Sequence, residues 1–347
     1  MSSAIKVAQC LAGAPYGGAE KFYTRLVAAL ANEPSLIQRA FTRENATRVP
    51  ALRDANVQVE TFRFGTVFNP LGNKKYLAAL KTFAPDVVIT YMNRASILTP
   101  PGDYQLVCRL GHYYNLKYYR HADHWIGISK GICKHLIDGG MPADRVYHIP
   151  NFADETIVQS IDRTSFDTPA GVPLILAAGR LHVNKGFDIL IRALKGIPEA
   201  YLWLAGDGPK KSVLTRLCQN EGVAERVRFL GWRNDVAALM RSVDLFVCPS
   251  RHEGLGSIVM ESWFNECPIV ATASQGPGEL IDHGNTGLLS PVDDIDQLQR
   301  NLVAAMNDQQ LRNRLRENGS AEYQARYSKA VITKQYRSLL ETITHRK

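Results

Sequence analysis

The sequence predicts an α/β protein built from two tandem doubly wound domains, and three observations predict it. Short apolar runs alternate with segments of helical period from end to end. At 347 residues the chain is too long for one ordinary core. The alternation breaks once, across residues 150–173, a stretch rich in Asp, Ser and Thr that carries Pro169, Gly171 and Pro173.

In the first half, strands are predicted at 5–11, 37–41, 57–62, 87–90, 104–109, 125–128 and 146–149, with helices at 19–31, 76–83 and 129–138 among those between them. Such β–α alternation implies a parallel sheet covered on both faces. The first domain is therefore placed at 1–152, a linker at 153–171 and a second domain at 172–328. Strands of the second domain are expected at 174–178, 201–205, 227–230, 245–248, 269–271 and 287–289. A final helix at about 329–344 follows the last strand, and its Val331, Tyr336, Leu339 and Leu340 need a surface, which the first domain is expected to supply. Two such domains imply a cleft between them, with ligands bound outside the carboxyl ends of the strands.

The 45% hydrophobic and 21% charged residues describe a globular chain. No apolar run reaches the roughly 18–20 residues of a membrane span. Lys6 and Gln9 interrupt the only apolar stretch near the N-terminus, so no signal peptide is read there and a cytoplasmic protein is expected. Six cysteines lie far apart without a C-x-x-C pair and read as buried, reduced thiols. The net charge of +8 belongs to one half: residues 1–150 hold 18 Lys and Arg against 10 Asp and Glu, whereas the remainder holds 23 of each. That excess suits either an anionic partner, such as a phospholipid surface, a phosphorylated glycan or nucleic acid, or merely a basic solvated face.

Chemistry is suggested at several strand ends. Gly17 and Gly18 lie where the first strand turns into a helix, a place for a phosphate or simply for a tight turn. After strand 174–178 the loop carries Arg180 and Lys185, a planar fork and a compact charge suited to an anion, or two solvated cations. Gly206 ends the next strand as a turn, and Leu230 lies where main-chain groups of the following strand end could meet a nucleobase. The most informative segment runs from Cys248 to Glu261. Glu253 and Glu261 stand eight positions apart around a glycine-rich turn, and Ser257 is expected to cap the helix that follows. A carboxylate there could accept from sugar hydroxyls and the helix N-terminus could hold a phosphate, or the two are surface carboxylates flanking an ordinary turn.

The pattern Glu253-x7-Glu261, with Gly179-Arg180 and Lys185 upstream, resembles the retaining glycosyltransferases of family 4, including the bacterial surface-glycan type. So do Gly17-Gly18-Ala19-Glu20-Lys21, Ala122-Asp123-His124-Trp125-Ile126-Gly127-Ile128-Ser129, Ile149-Pro150-Asn151-Phe152 (Phe where Gly is usual), Gly276-Pro277-Gly278-Glu279-Leu280-Ile281 and Gly287-Leu288-Leu289, in the family's order over nearly the whole chain. The resemblance implies the GT-B fold, two Rossmann-like domains around a cleft. It further implies that Arg180 and Lys185 neutralise a donor diphosphate, that Glu261 binds ribose and that Glu253 contacts the donor sugar. The backbone of Gly254, Leu255, Gly256, Ser257, Ile258 and Val259 would cradle sugar and phosphate, assisted across the cleft by Gly17 or Gly18. Gly206 and Leu230 would complete the donor site, Leu230 in the segment that receives the base, and His112 would stand near the sugar.

The implied partners are a nucleotide-sugar donor and a glycan or glycolipid acceptor, in lipopolysaccharide or other surface-polysaccharide synthesis. Arg94, Tyr113, Tyr114 and Lys117 are the acceptor-side candidates, and residues 1–150 could meet an anionic membrane from the cytoplasmic side. No cofactor and no metal are expected: Asp294-Ile295-Asp296 opens a late helix rather than ending a strand, and His121, Asp123 and His124 lack a second cluster. A soluble sugar-phosphate synthase or phosphorylase on the same scaffold stays open. A non-catalytic or nucleic-acid-binding protein is disfavoured by the presence of all four donor-site residues, and no nucleic-acid partner is expected.

Overall fold

The computed structural model describes residues 4–15, 17–65 and 71–345. Residues 1–3 of the N-terminal segment and Tyr16 of the glycine loop fall outside these. The chain forms two compact units, Met1–Phe152 with Lys329–Lys347, and Ala153–Ser328.

The first unit runs β1 (Ile5–Leu11), α1 (Gly18–Leu30), β2 (Leu36–Thr42), α2 (Arg48–Asp54), β3 (Gln58–Thr61), α3 (Leu71–Phe83), β4 (Val87–Tyr91), α4 (Met92–Leu98), β5 (Gln105–Leu110), β6 (His124–Gly127), α5 (Lys130–Asp138) and β7 (Val146–His148). Its seven strands lie parallel in the order β3-β2-β1-β4-β5-β6-β7. From Val7 onward β1 is buried, and β4 is buried throughout, because both faces of a parallel sheet are covered. Phe22, Leu26 and Leu30 recur at helical spacing along α1 and join β1 and β4 in one core. The chain winds outward from β1 to β3 and then returns to the other side of β1 as β4. Loops leaving β1 and β4 therefore diverge, which opens a crevice at their carboxyl ends.

The second unit repeats the plan with β8 (Leu174–Ala178), α6 (Phe187–Ala193), β9 (Tyr201–Ala205), α7 (Lys211–Asn220), β10 (Val227–Gly231), α8 (Val236–Met240), β11 (Leu245–Cys248), α9 (Ser257–Phe264), β12 (Ile269–Thr272), α10 (Gln275–Leu280), β13 (Leu288–Ser290), α11 (Ile295–Asn307) and α12 (Gln309–Arg326). Its six strands follow the order β10-β9-β8-β11-β12-β13, all parallel, so the winding reverses between β8 and β11.

Residues 153–171, expected as a linker, group with the second unit and are tied to it. Ile161 N donates to Ser242 Oγ at 2.7 Å, and Arg163 forks onto Asp244 at 2.8 and 3.2 Å. Trp203 Nε1 donates to Thr168 Oγ1 at 2.8 Å. Composition marks this stretch as irregular, but side-chain anchoring 35 to 81 residues away cannot be read from it.

The last helix, α13 (Lys329–Thr344), belongs to the first unit. Its Ile332, Tyr336, Leu339, Leu340 and Ile343 are buried in the same core as α1. At about 1.5–3 kcal/mol per fully buried apolar side chain, that face contributes on the order of 10 kcal/mol, comparable with a whole domain's net stability. Arg109, 3% exposed, is held there without a carboxylate. Its Nε donates to Tyr336 Oη at 2.9 Å, a terminal nitrogen donates to Asn151, and its guanidinium lies 4.4 Å over the Phe22 ring. The Pro-Asn segment at the end of the first domain thus has a local role: Asn151 receives a buried cation.

Candidate functional site

The reversal between β8 and β11 places two loops side by side at the carboxyl ends of the second sheet. After β8, Gly179 adopts φ +151 and residues 183–185 form a single 3-10 turn whose start His182 caps through Nδ1. Gly186 follows at φ +62, and a Cβ there would lie 1.9 Å from the Pro249 carbonyl oxygen. Only glycine lets the two loops approach this closely. The β11 loop then answers with main-chain bonds, Arg251 N and His252 N donating to Asn184 O at 2.8 and 3.3 Å.

These contacts bring Lys185 and Glu253, 68 positions apart in sequence, into a direct ion pair. Their side chains are 28% and 20% exposed, so the pair is partly screened by solvent. Burial works against the Lys185 ammonium, yet the charge and hydrogen bond of Glu253, with smaller contributions from Cys248 and Glu261, raise its pKa above the ordinary lysine value. The charge of Glu261, in the early turns of α9, thus acts on the same ammonium. Arg180 is exposed at the other end of its loop. The two cations thus differ: one is already paired within the protein, the other is exposed.

The Glu253 loop rests on α10. Gly276 N donates to Glu253 O at 2.8 Å, and Gln275 Oε1 accepts from Glu253 N at 3.2 Å. A Cβ on Gly276 would strike the Leu255 carbonyl carbon at 2.1 Å, so the Gly-Pro-Gly segment acts as the shelf under residues 253–256. Ser257, expected as the helix cap, is instead the first helical residue of α9. Gly256, at φ +74, occupies the cap position and offers no side chain to it. The left-handed turn that opens α9 favours glycine, which displaces a serine cap by one residue. Leu255 and Val259 are buried, leaving Gly254, Ser257 and Ile258 on the more open side.

Arg251, which lies inside this motif but received no role from the sequence, fastens the site. It forks onto Asp188 at 2.8 Å twice, donates to the Val183 carbonyl at 2.7 Å, and reaches Asp293 at 2.7 Å. The loops after β8, β11 and β13 are joined by one guanidinium. The hint available in sequence was an arginine two positions before Glu253; Asp188 and Asp293 carried none.

Other expected positions have packing reasons of their own. Gly206, at φ +146, abuts Gly179, whose carbonyl oxygen a Cβ would meet at 1.9 Å. Leu230 is skipped where the β10–β9 register shifts, a bulge that re-aims its main chain. In the first unit, a Cβ on Gly17 would meet Glu20 Oε2 at 2.2 Å, whereas one on Gly18 meets nothing within 4 Å. Glu20 folds back to accept from Ala14 N at 2.8 Å.

His112, just past β5, is exposed, with its ring 6.0 and 5.9 Å from those of Tyr113 and Tyr114. The acceptor-side candidates divide. Arg94 and Tyr114 line a cavity of about 510 Å³ at the carboxyl ends of β1 and β4. Tyr113 packs edge-on against His135 of α5, and Lys117 lies over the Tyr118 ring; neither lines that cavity.

All six cysteines are free. Burial raises the pKa of Cys10 and Cys267 to about 12 and that of Cys108, Cys218 and Cys248 to about 11, leaving them as thiols. His121 contacts the carbonyls of Ser96 and Thr99, and Asp123 accepts from Leu106 N, so both are engaged in packing. Among the described residues no group of three or more His, Cys, Asp or Glu is placed to hold a metal, and no helix is long and apolar enough to cross a membrane.

Residues 158–322 match the family model described as glycosyl transferases group 1. The lipopolysaccharide core biosynthesis glycosyltransferase LpsE of Rhizobium meliloti is 35% identical over 328 residues, covering 93% of this chain and 96% of that one. LpsD of the same organism is 31% identical, covering 94% and 95%. Among solved structures, Anabaena HepE in complex with UDP and glucose superposes with a TM-score of 0.82 at 21% identity, covering 97% of this chain and all of that one. WaaG, a glycosyltransferase involved in lipopolysaccharide biosynthesis, gives 0.69 at 20% identity over 95% and 98%. With near-full-length identity above 30% and two parallel α/β units of the GT-B kind, the chain belongs to the group 1, family 4 glycosyltransferases and is a glycosyltransferase.

Proposed function

We propose that the enzyme transfers a sugar, with retention at the anomeric carbon, from a nucleoside-diphosphate sugar to a hydroxyl of a glycan or glycolipid acceptor, in assembly of a lipopolysaccharide core or related surface polysaccharide. The observation that carries this reading is the meeting of Lys185 and Glu253 at the switch point of the second sheet, beside the glycine-capped start of α9. The near-full-length likeness to two lipopolysaccharide core enzymes supports the acceptor class, and the UDP and glucose held by Anabaena HepE support the donor class.

In this reading Arg180 and Lys185 take the donor diphosphate, Glu261 the ribose hydroxyls and Glu253 the sugar. The main chain of 254–259 cradles the sugar and phosphate, and the bulge at Leu230 meets the base. Cleavage of the sugar–phosphate bond places positive charge on the anomeric carbon and negative charge on the leaving diphosphate. Two cations and the positive N-terminal end of α9 stabilise that negative charge. When the donor arrives, Lys185 turns from Glu253 to phosphate, and the released carboxylate becomes an acceptor for a sugar hydroxyl. The leaving phosphate takes the acceptor hydroxyl's proton, so neither a protein nucleophile nor a metal is required. His112 is assigned to the donor sugar, and the basic first 150 residues to anionic phospholipid at the cytoplasmic face of the membrane.

A donor screen tests the reading. At about 100 times its Kd a donor stabilises the site by about 2.7 kcal/mol, a rise of roughly 5–10 °C in melting temperature for a unit of this size. One of the UDP-, GDP- or ADP-sugars is expected to produce that rise and to be turned over in EDTA. Absence of both effects with every nucleotide sugar would refute the donor site, and turnover abolished by EDTA would refute metal independence.

A further inference from the structure

We propose that the cavity at the carboxyl ends of the first sheet binds an acidic saccharide, with Arg43 and Arg94 together holding its phosphate or carboxylate group. The inference rests on the reading of the first unit as the side that receives the acceptor.

The cavity lies at the switch point between β1 and β4. Ala12 and Ala14 come from the loop after β1, Arg43 from the end of β2, Met92 and Arg94 from α4, and Tyr114 from beyond β5. Its volume, about 510 Å³, falls within the roughly 300–1,000 Å³ of small-molecule sites. Among the described residues that line it, the two arginines carry the charge and no carboxylate accompanies them. Glu20, the acid behind the Ala14 loop, is occupied by Ala14 N and faces the charge of Arg48.

Arg43 is fixed in place and incompletely satisfied. Its Nη2 donates to the Phe64 carbonyl at 3.1 Å, while its Nε is buried with no hydrogen-bond partner among the described residues. Burial first, and then the neighbouring charge of Arg94, lower the Arg43 pKa below the usual guanidinium value. The second guanidinium adds repulsion that no described residue of the cavity lining offsets. A neutral glycan hydroxyl would leave that repulsion in place. An anionic group shared by the two guanidiniums relieves it through charge-assisted hydrogen bonds. Around the two cations the walls are apolar, with Met92, Ile97 and Leu98, and the half-buried Tyr114 ring offers a face for a sugar's C–H surface. Met92 holds φ +67 where β4 turns directly into α4, a costly conformation for a side-chain-bearing residue, and it lies in the cavity wall.

Calorimetric titration of the full chain tests this with mannose, mannose 6-phosphate, glucuronate and inorganic phosphate at fixed salt. Mannose 6-phosphate or glucuronate is expected to bind at least tenfold more tightly than mannose, and whichever does identifies phosphate or carboxylate as the recognised group. Arg94→Gln, a change at an exposed helix position, should lower that affinity about tenfold without altering mannose binding, and Arg43→Gln should lower it further. If Arg43→Gln fails to fold by circular dichroism, Arg94→Gln decides alone. Equal binding of mannose and both acids, an Arg94→Gln chain that binds the acid as tightly as wild type, or inorganic phosphate bound as tightly as the sugar phosphate would overturn the proposal. Turnover of UDP-, GDP- and ADP-sugars by the wild-type chain is followed alongside. Acid-selective binding without turnover upholds the pocket and sinks the donor reading; turnover with charge-blind binding does the reverse.

Discussion

Replacing Arg251 with alanine removes the group that ties three loops of the second unit together. The lost contacts are a fork onto Asp188 with both bonds at 2.8 Å, a bond of 2.7 Å to the Val183 carbonyl, and one of 2.7 Å to Asp293. Asp293 is 56% exposed and its pairing adds little, about 0–1 kcal/mol. The fork onto Asp188, with Arg251 20% and Asp188 31% exposed, is worth about 1.5–3 kcal/mol, and the carbonyl bond about 1 kcal/mol. Arg192, 3.5 Å from Asp188, offsets part of the loss. The net expectation is about 3 kcal/mol. With a urea m-value of about 2 kcal/mol/M this lowers the midpoint by roughly 1.5 M. Tryptophan fluorescence reads the right unit, since Trp203, Trp232 and Trp263 lie there and only Trp125 elsewhere. Arg251→Lys, which keeps the charge but cannot fork, should fall between. A midpoint for Arg251→Ala within about 0.3 M of wild type would refute the assignment of Arg251 as the fastener of the site.

Glu253→Gln should strengthen binding of UDP or another product diphosphate about tenfold while abolishing sugar transfer, because the carboxylate that neutralises Lys185 is gone; unchanged or weaker diphosphate binding would contradict the pairing. Tyr336→Phe leaves the buried Arg109 short of one acceptor and should cost about 1–3 kcal/mol in urea unfolding; a cost below about 0.5 kcal/mol would mean that Arg109 finds another partner. Burial opposes the Asp188 carboxylate, but the Arg251 hydrogen bond and charge outweigh it and hold its pKa below the usual 3.8. A depressed folded value contributes stability above about pH 4 that disappears as pH falls through it. Wild type should therefore lose more stability than Arg251→Ala between pH 5 and about 3, and parallel losses would be the contrary result.

All thirteen strands lie within a residue or two of where the apolar runs put them. The central ones, such as β4 and β11, are buried on both faces and read as near-continuous hydrophobic segments, while the partly exposed edge strands β3 and β7 were marked by the alternation with helices. The loops carrying Arg180, Lys185 and Glu253 were legible for a related reason: glycines punctuate strand ends where two backbones must approach. What the sequence withheld were pairings between distant side chains. Lys185 and Glu253 are 68 residues apart, Arg251 and Asp188 are 63, and Arg109 and Tyr336 are 227. Local pattern carries no record of such distances. It also misassigned the α9 cap, since serine is a common cap but only glycine fits the left-handed turn at 256. Arg43 gave no signal, because its meaning arises only from the cavity it lines.

Donor turnover by Lys185→Ala is the most direct measurement of the central claim. The variant should remain folded by circular dichroism and lose nucleotide-sugar transfer by about 10²–10³-fold, the effect of removing one pre-placed stabiliser of developing negative charge. A folded Lys185→Ala enzyme that transfers sugar at the wild-type rate would contradict the account.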